Sequence, residues 1–177
     1  SYGLLNEINQ KFVDIVRESG GNNRKRHLLI AGYNTDFDLT CDALYKMPED
    51  PAGRCAVSVH YYTPSTFAIL ERDADWGKAQ TEWGSDADYE QLKHYMSMMK
   101  KNFVDKGVPV IIGEFGSSTK NKTDEMVRLY LTSVCKEAYA NGLCPVLWDV
   151  TGAFYNRFTY EFIDKELLDG LMAAKNN

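Results

Sequence analysis

At 177 residues the chain is long enough for one ordinary domain, which typically takes roughly 100–150 residues, and too short for a whole eight-unit α/β barrel of about 250. With 44% hydrophobic and 25% charged residues the composition is globular, and no apolar run approaches the ~20 residues of a membrane helix, so membrane insertion is set aside. The formal charge of −5 argues against a nucleic-acid partner, and the one basic cluster, Arg24-Lys25-Arg26, reads as a solvated turn.

The first element is a helix over Leu4 to Val16, with Leu5, Ile8, Phe12, Ile15 and Val16 at helical spacing and Gly20-Gly21 as its stop. His27 to Tyr33 is a short apolar run between turn signals, hence a strand, followed by a polar, Asp-rich loop. Cys55 to Tyr62 reads as a second strand, closed by the Pro64 region, and the long loop after it carries Trp76 and Trp83. Tyr89 to Phe103 repeats apolar residues at helical spacing behind Ser85-Asp86 as the N-cap. Val108 to Phe115 is the third strand. Lys122 to Ala140 is a helix ended by Asn141-Gly142, Leu143 to Val150 the fourth strand, and Tyr160 to Ala174 a closing helix.

Unbroken apolar strands joined by helices point to a parallel α/β sheet covered on both sides, either an open doubly wound sheet or a segment of a barrel. The absence of a GxGxxG or GxxxxGK loop weakens the nucleotide-binding version, and the absence of G-x-S-x-G disfavours an α/β hydrolase. Cys41, Cys55, Cys135 and Cys144 have neither CxxC spacing nor paired histidines, so no zinc or other metal site is expected and no cofactor is called for. Cys55 and Cys144, inside apolar runs, read as free buried thiols. The opening Ser-Tyr-Gly-Leu has no charged or apolar signal segment, as expected of a chain whose leader is removed or of an excised piece.

Polar residues gather at the C-terminal ends of all four strands: Asn34 and Asp36, His60 and Tyr62, Glu114, and Trp148 with Asp149. In parallel α/β folds that is the end where active sites are built. Glu114 stands between two glycines, Gly113 and Gly116, in Ile-Gly-Glu-Phe-Gly, where a carboxylate can act as a nucleophile at an anomeric carbon. His60 and Tyr62, two residues apart, share a strand face, so the Tyr62 hydroxyl can hydrogen-bond and aim Glu114. Trp148 offers a flat apolar face suited to the C–H side of a sugar ring.

Val59-His60-Tyr61-Tyr62, then Pro109 to Gly116 (PVIIGEFG), then Val146-Leu147-Trp148-Asp149 resemble the sixth, seventh and eighth strands of glycoside hydrolase family 5, in its bacterial endo-β-1,4-glucanase and xyloglucanase branch. With the Leu5 to Gly21 helix and the Leu28 to Tyr33 strand, the resemblance takes in nearly the whole chain. It implies one partial catalytic domain over residues 1–177, the C-terminal half (about four β/α units) of a (β/α)8 barrel, the upstream half lying outside this chain. It implies a secreted enzyme that cleaves plant cell-wall β-glucans with retention, Glu114 as nucleophile. His60 and Tyr62 would shape the subsite of cleavage, with Trp148 as its platform. Asn34, Asp149, Trp76 and Trp83 are further candidates for substrate contact, the two tryptophans at outer subsites.

Retaining chemistry needs a second carboxyl group about 5 Å away. The family carries it in an Asn-Glu-Pro motif on the fourth strand. Asn6-Glu7 has Ile8 where Pro belongs and falls inside helical periodicity, so Glu7 is expected at a helix surface and the acid/base on the other half of the barrel. If this chain acted alone, Asp36 or Asp38 would be the local substitutes. The expected partners are therefore a β-glucan and either the N-terminal half of the barrel or a second copy. The alternative is a non-catalytic carbohydrate-binding half-barrel.

Overall fold

The computed structural model describes residues 1–150 and 152–175. Among them, four strands form one parallel sheet in the order of the chain: β1 (Leu28–Ala31), β2 (Cys55–Tyr61), β3 (Val110–Phe115) and β4 (Leu143–Leu147). A doubly wound sheet reverses its strand order at a switch point. This one does not, which leaves the barrel segment of the two expected architectures.

The helices are α1 (Tyr2–Glu18), the short α2 (Phe37–Cys41) and α3 (Ser65–Ala68), α4 (Asp86–Asn102), α5 (Asp124–Ala140) and α6 (Lys165–Ala174). Local chemistry sets their ends. Ser85 and Asp88 form a reciprocal capping box at the start of α4, and Thr123 accepts from Met126 N–H at the start of α5. Asp164 caps α6 by accepting from Leu167 N–H at 3.0 Å. The closing helix is thus shorter than its apolar pattern suggests. Tyr160 to Phe162 belong instead to a hairpin of β5 (Tyr155–Asn156) and β6 (Glu161–Phe162), paired antiparallel.

The register puts Ile30, Val57, Val110 and Leu143 in one row, all at most 4% exposed, where they join the packing of α4, α5 and α6 or of α1. The adjacent row, Ala31, Ser58, Ile111 and Cys144, faces the other way and is not buried. Leu29 and Val146 on that bare face are 56% and 45% exposed. The expectation of a sheet covered on both sides is therefore corrected: helices cover one face, and the other is open and apolar. Cys144 is exposed for this reason and not buried as expected. The four thiols are free; burial pushes those of Cys41, Cys55 and Cys135 up to about 11.

Only part of the apolar pattern of helix α1 faces inward. Asn9 and Val13 are its buried residues, and the Asn9 amide donates to Ala31 C=O at 3.1 Å, which seats the helix on β1. Leu5 and Val16 pack partly inward, whereas Leu4, Ile8, Phe12 and Ile15 are 43–67% exposed along the opposite stripe. Asn6 grips the backbone of Leu44 and Lys46, and Gln10 that of Glu49, so the polar positions of α1 hold the segment leading to β2.

The strongest of these ties is Arg17 to Asp50. The guanidinium donates two bonds to the carboxylate, at 2.8 and 2.9 Å, and their side chains are 11% and 3% exposed. Asp50 also accepts from the N–H groups of Ala52 and Arg54, so it braces the turn before β2. Its carboxyl is held well below the usual range, first by Arg17. Breaking such a pair from one side leaves the Asp50 carboxylate without its cation, so Arg17→Met should lower the urea midpoint of unfolding, and an unchanged midpoint would mean that the pair does not brace the turn. A depressed folded pKa stabilises above the unfolded value of about 4, and that stability is lost as pH falls toward the folded value. Stability measured from about pH 5 to pH 2 should therefore decline less steeply in Asp50→Asn than in the parent protein.

Candidate active site

Side chains alternate along a strand, so with Ile112 buried against the helices, Glu114 would face the helices and Phe115 the open side. The pairing prevents this. His60 of β2 pairs with Glu114 and Val59 with Ile112, leaving Gly113 without a partner, and on β4 the register skips from Ile112–Pro145 to Phe115–Leu147. This β-bulge turns Phe115 into the core, at 1% exposure, and Glu114 toward the open face. Glycine is favoured at the bulge by the neighbouring strand. A Cβ on Gly113 would come within 2.8 Å of Ser58 Oγ, and the His60 ring stands just beyond.

Glu114, 25% exposed, meets two groups from β2 and its end. Tyr62 Oη donates to Oε2 at 3.1 Å, and His60 Nδ1 lies 3.5 Å from the same oxygen. Burial, then the bond to Glu114, raises the Tyr62 phenol well above its ordinary pKa, so it stays protonated as a donor. The anticipated Tyr62 to Glu114 contact is thus present in the folded chain.

Two concavities flank this trio and share Tyr62 and Ile69. One, of about 470 Å³, runs past Gly116, Ser117 and Trp148; the other, of about 340 Å³, past Asn34, Asp36 and His60. Trp148 is held at the strand end by its N–H bond to Phe115 C=O at 2.8 Å and leaves 46% of its surface exposed to the cleft. Asn34 lines the second concavity from a left-handed backbone conformation, φ 51°.

Other expected contacts fall elsewhere. Trp83 is 5% exposed, edge-on to Tyr89 and Tyr130 in the core behind the sheet, so it cannot form an outer subsite. Trp76 is 60% exposed on the same loop but lines neither concavity. Asp149 borders the larger cleft, yet both its oxygens are taken by the N–H groups of Gly152, Ala153, Phe154 and Tyr155. Burial raises its pKa, but the four donors outweigh it and the net shift is downward. It is a loop clamp.

The carboxylates considered as general acids are likewise engaged. Glu7 pairs with Lys11 at 3.0 Å on the exposed face of α1. Asp36 caps α2 through Leu39 N–H, and Asp38 accepts from Tyr95 Oη. Glu71, which sequence reading did not single out, borders the larger cleft but binds Lys120 and Ser118. Among the described residues no group of three or more His, Cys, Asp or Glu could hold a metal ion, and no helix is long and apolar enough to cross a membrane.

An arc of parallel strands in chain order, with polar side chains at its C-terminal rim, is part of an α/β barrel. Residues 2–154 match "Cellulase (glycosyl hydrolase family 5)", and the chain belongs to that family. It is 35% identical to Endoglucanase A of Paenibacillus barcinonensis, over 97% of this chain and 49% of that protein. It is 33% identical to the xyloglucan-specific endo-beta-1,4-glucanase BoGH5A of Bacteroides ovatus, over 90% and 35%. A GH5-4 broad specificity endoglucanase from an uncultured bovine rumen ciliate superposes with a TM-score of 0.90 at 35% identity, over 99% of this chain and 55% of that one. The chain spans about half the length of the first two of these or less, and folds as about half of an α/β barrel.

The bulge offers a direct test. Gly113→Ala should destabilise the protein by about 1–3 kcal/mol through overpacking against Ser58, and Ser58→Ala in the same chain should recover most of the loss. A double-mutant cycle in urea measures both; simple additivity would mean that Ser58 is not what excludes a side chain at Gly113.

Proposed function

We propose that this chain is the C-terminal half of the catalytic barrel of a retaining endo-β-1,4-glucanase acting on plant cell-wall glucans, with Glu114 as nucleophile. The observation that carries the reading is the aimed carboxylate: Glu114 Oε2 held by Tyr62 Oη at 3.1 Å, with His60 beside it, where Tyr62 also lines the cleft that Trp148 borders. Trp148 would carry the apolar face of the ring undergoing cleavage, and Asn34 would hydrogen-bond at the rim. Glu114 would attack the anomeric carbon to form a glycosyl-enzyme, while a second carboxyl group protonates the leaving oxygen and then activates water for the second displacement. During attack Tyr62 exchanges a bond to an anion for one to an ester oxygen, which helps release the intermediate.

The second carboxyl group belongs to the other half of the barrel. The carboxylates bordering the cleft in this chain, Asp36, Glu71 and Asp149, are committed to a cap, an ion pair and a loop clamp. The place for that half is supported by the bare sheet face around Leu29 and Val146 and by the exposed α1 stripe of Leu4, Ile8, Phe12 and Ile15. Names of relatives favour β-1,4-glucan and xyloglucan among substrates, and polymers of that size require action outside the cell.

In a preparation that holds the whole barrel, Glu114→Gln should lower turnover of a soluble β-glucan below about one part in a thousand while glucan binding survives. Retention of a few per cent of the rate would remove Glu114 as nucleophile. Tyr62→Phe removes one bond to a charged group, so it should cost about 10- to 100-fold and alter the pH–rate profile. An unchanged profile would separate Tyr62 from the titrating machinery.

A further inference from the structure

The hairpin that follows β4 carries the most exposed aromatic residues of the described chain. Phe158 is 94% exposed and Tyr160 78%, with Ile163 at 57% and Val150 at 59% close by. Left to float, such side chains would be a solubility cost with no gain. They do not float. Asn156 Oδ1 accepts from the N–H groups of Phe158 and Thr159, Asn156 C=O accepts from Tyr160 N–H at 2.8 Å, and Arg157 donates to Asp149 C=O. Tyr160 is held at φ 60°, a left-handed conformation that a bulky side chain enters only when its surroundings impose it.

A shallow concavity of about 370 Å³ runs along this hairpin and meets the catalytic cleft at Val150, which lines both. Its lining has no carboxylate, and its one cation, Arg157, is bonded back to Asp149. An aromatic surface without a carboxylate, with amide and hydroxyl groups and one engaged guanidinium at its edge, suits a polymer with alternating C–H and O–H faces.

Resting on the β-glucan reading above, we propose that this hairpin is a second glucan-binding surface, on which Phe158 and Tyr160 stack with sugar rings of the chain as it leaves the cleft. It would thereby favour long substrates over short ones. The test is the double variant Phe158→Ala/Tyr160→Ala in the active protein, assayed on a soluble polymeric β-1,4-glucan and on an oligosaccharide short enough to occupy the cleft alone. KM for the polymer should rise about tenfold, with kcat within about twofold and both constants for the oligosaccharide unchanged. Phe158→Trp, which keeps a ring, should behave as the parent. Unchanged polymer kinetics would overturn the proposal. So would equal losses on both substrates with a lowered melting temperature, the mark of a hairpin that packs against the rest of the barrel. If the parent protein hydrolyses no β-glucan, the proposed function fails separately. Retardation of the protein in a polymer-containing native gel then decides the hairpin: retardation lost in the double variant upholds the surface, and equal or absent retardation removes it.

Discussion

The extra residue that β3 accommodates between Ile112 and Phe115 governs everything at the rim. With a regular register, Glu114 would point into the layer where Val59, Tyr61 and Phe115 pack, and an unpaired carboxylate in that layer would cost several kcal/mol. The bulge exchanges the two positions, so that a ring fills the core and a carboxylate reaches the cleft. A side chain on the inserted residue would press on Ser58 of the adjacent strand, which favours glycine there. Tyr62 and His60 are then within reach of Glu114 because the shifted pairing sets His60 opposite it.

The second constraint is one-sided burial. Helices α4, α5 and α6 close over the row of Val57, Val110 and Leu143, whereas Ile111, Cys144 and Val146 face open space. In a closed barrel the inward rows are filled by side chains from all the strands. An inner face of Leu29, Ile111 and Val146 has the chemistry of such a filling, and the outward stripe of α1 has the chemistry of a helix with a neighbour. Both features are costly in isolation and ordinary inside a complete barrel.

Much of this was legible in the residues. The four strands, α4 with its Ser85 cap, α5 and the rim trio could be read from apolar runs, turn glycines and the H-x-Y spacing. The one-sidedness could not, since a strand apolar on both faces looks the same whether helices or other strands cover the second. The orientation of α1 was not legible because apolar residues surround more than half of it, and the deciding contact is a polar one, Asn9 to Ala31. The hairpin was absorbed into α6 because Tyr160, Phe162 and Ile163 continue a helical apolar pattern. Asp164, a capping residue three positions before Leu167, marked the true start. Trp83 shows the limit of composition: a tryptophan in a loop says nothing of which way the loop folds.

Glu114 and Asp149 end adjacent strands with the same functional group and opposite tasks, and their surroundings separate them. The backbone N–H groups of Gly152, Ala153, Phe154 and Tyr155 saturate Asp149, which fixes those four residues and leaves no lone pair for chemistry. Glu114 receives a single phenol and an imidazole edge, both on one oxygen. The clamp also joins two surfaces, because it ties Asp149, next to the exposed Trp148, to the Gly152 to Tyr155 backbone that opens the hairpin presenting Phe158. On the proposal that a glucan stacks on both, the backbone bonds already made around Asp149 and Asn156 would reduce the ordering that binding a longer chain has to impose.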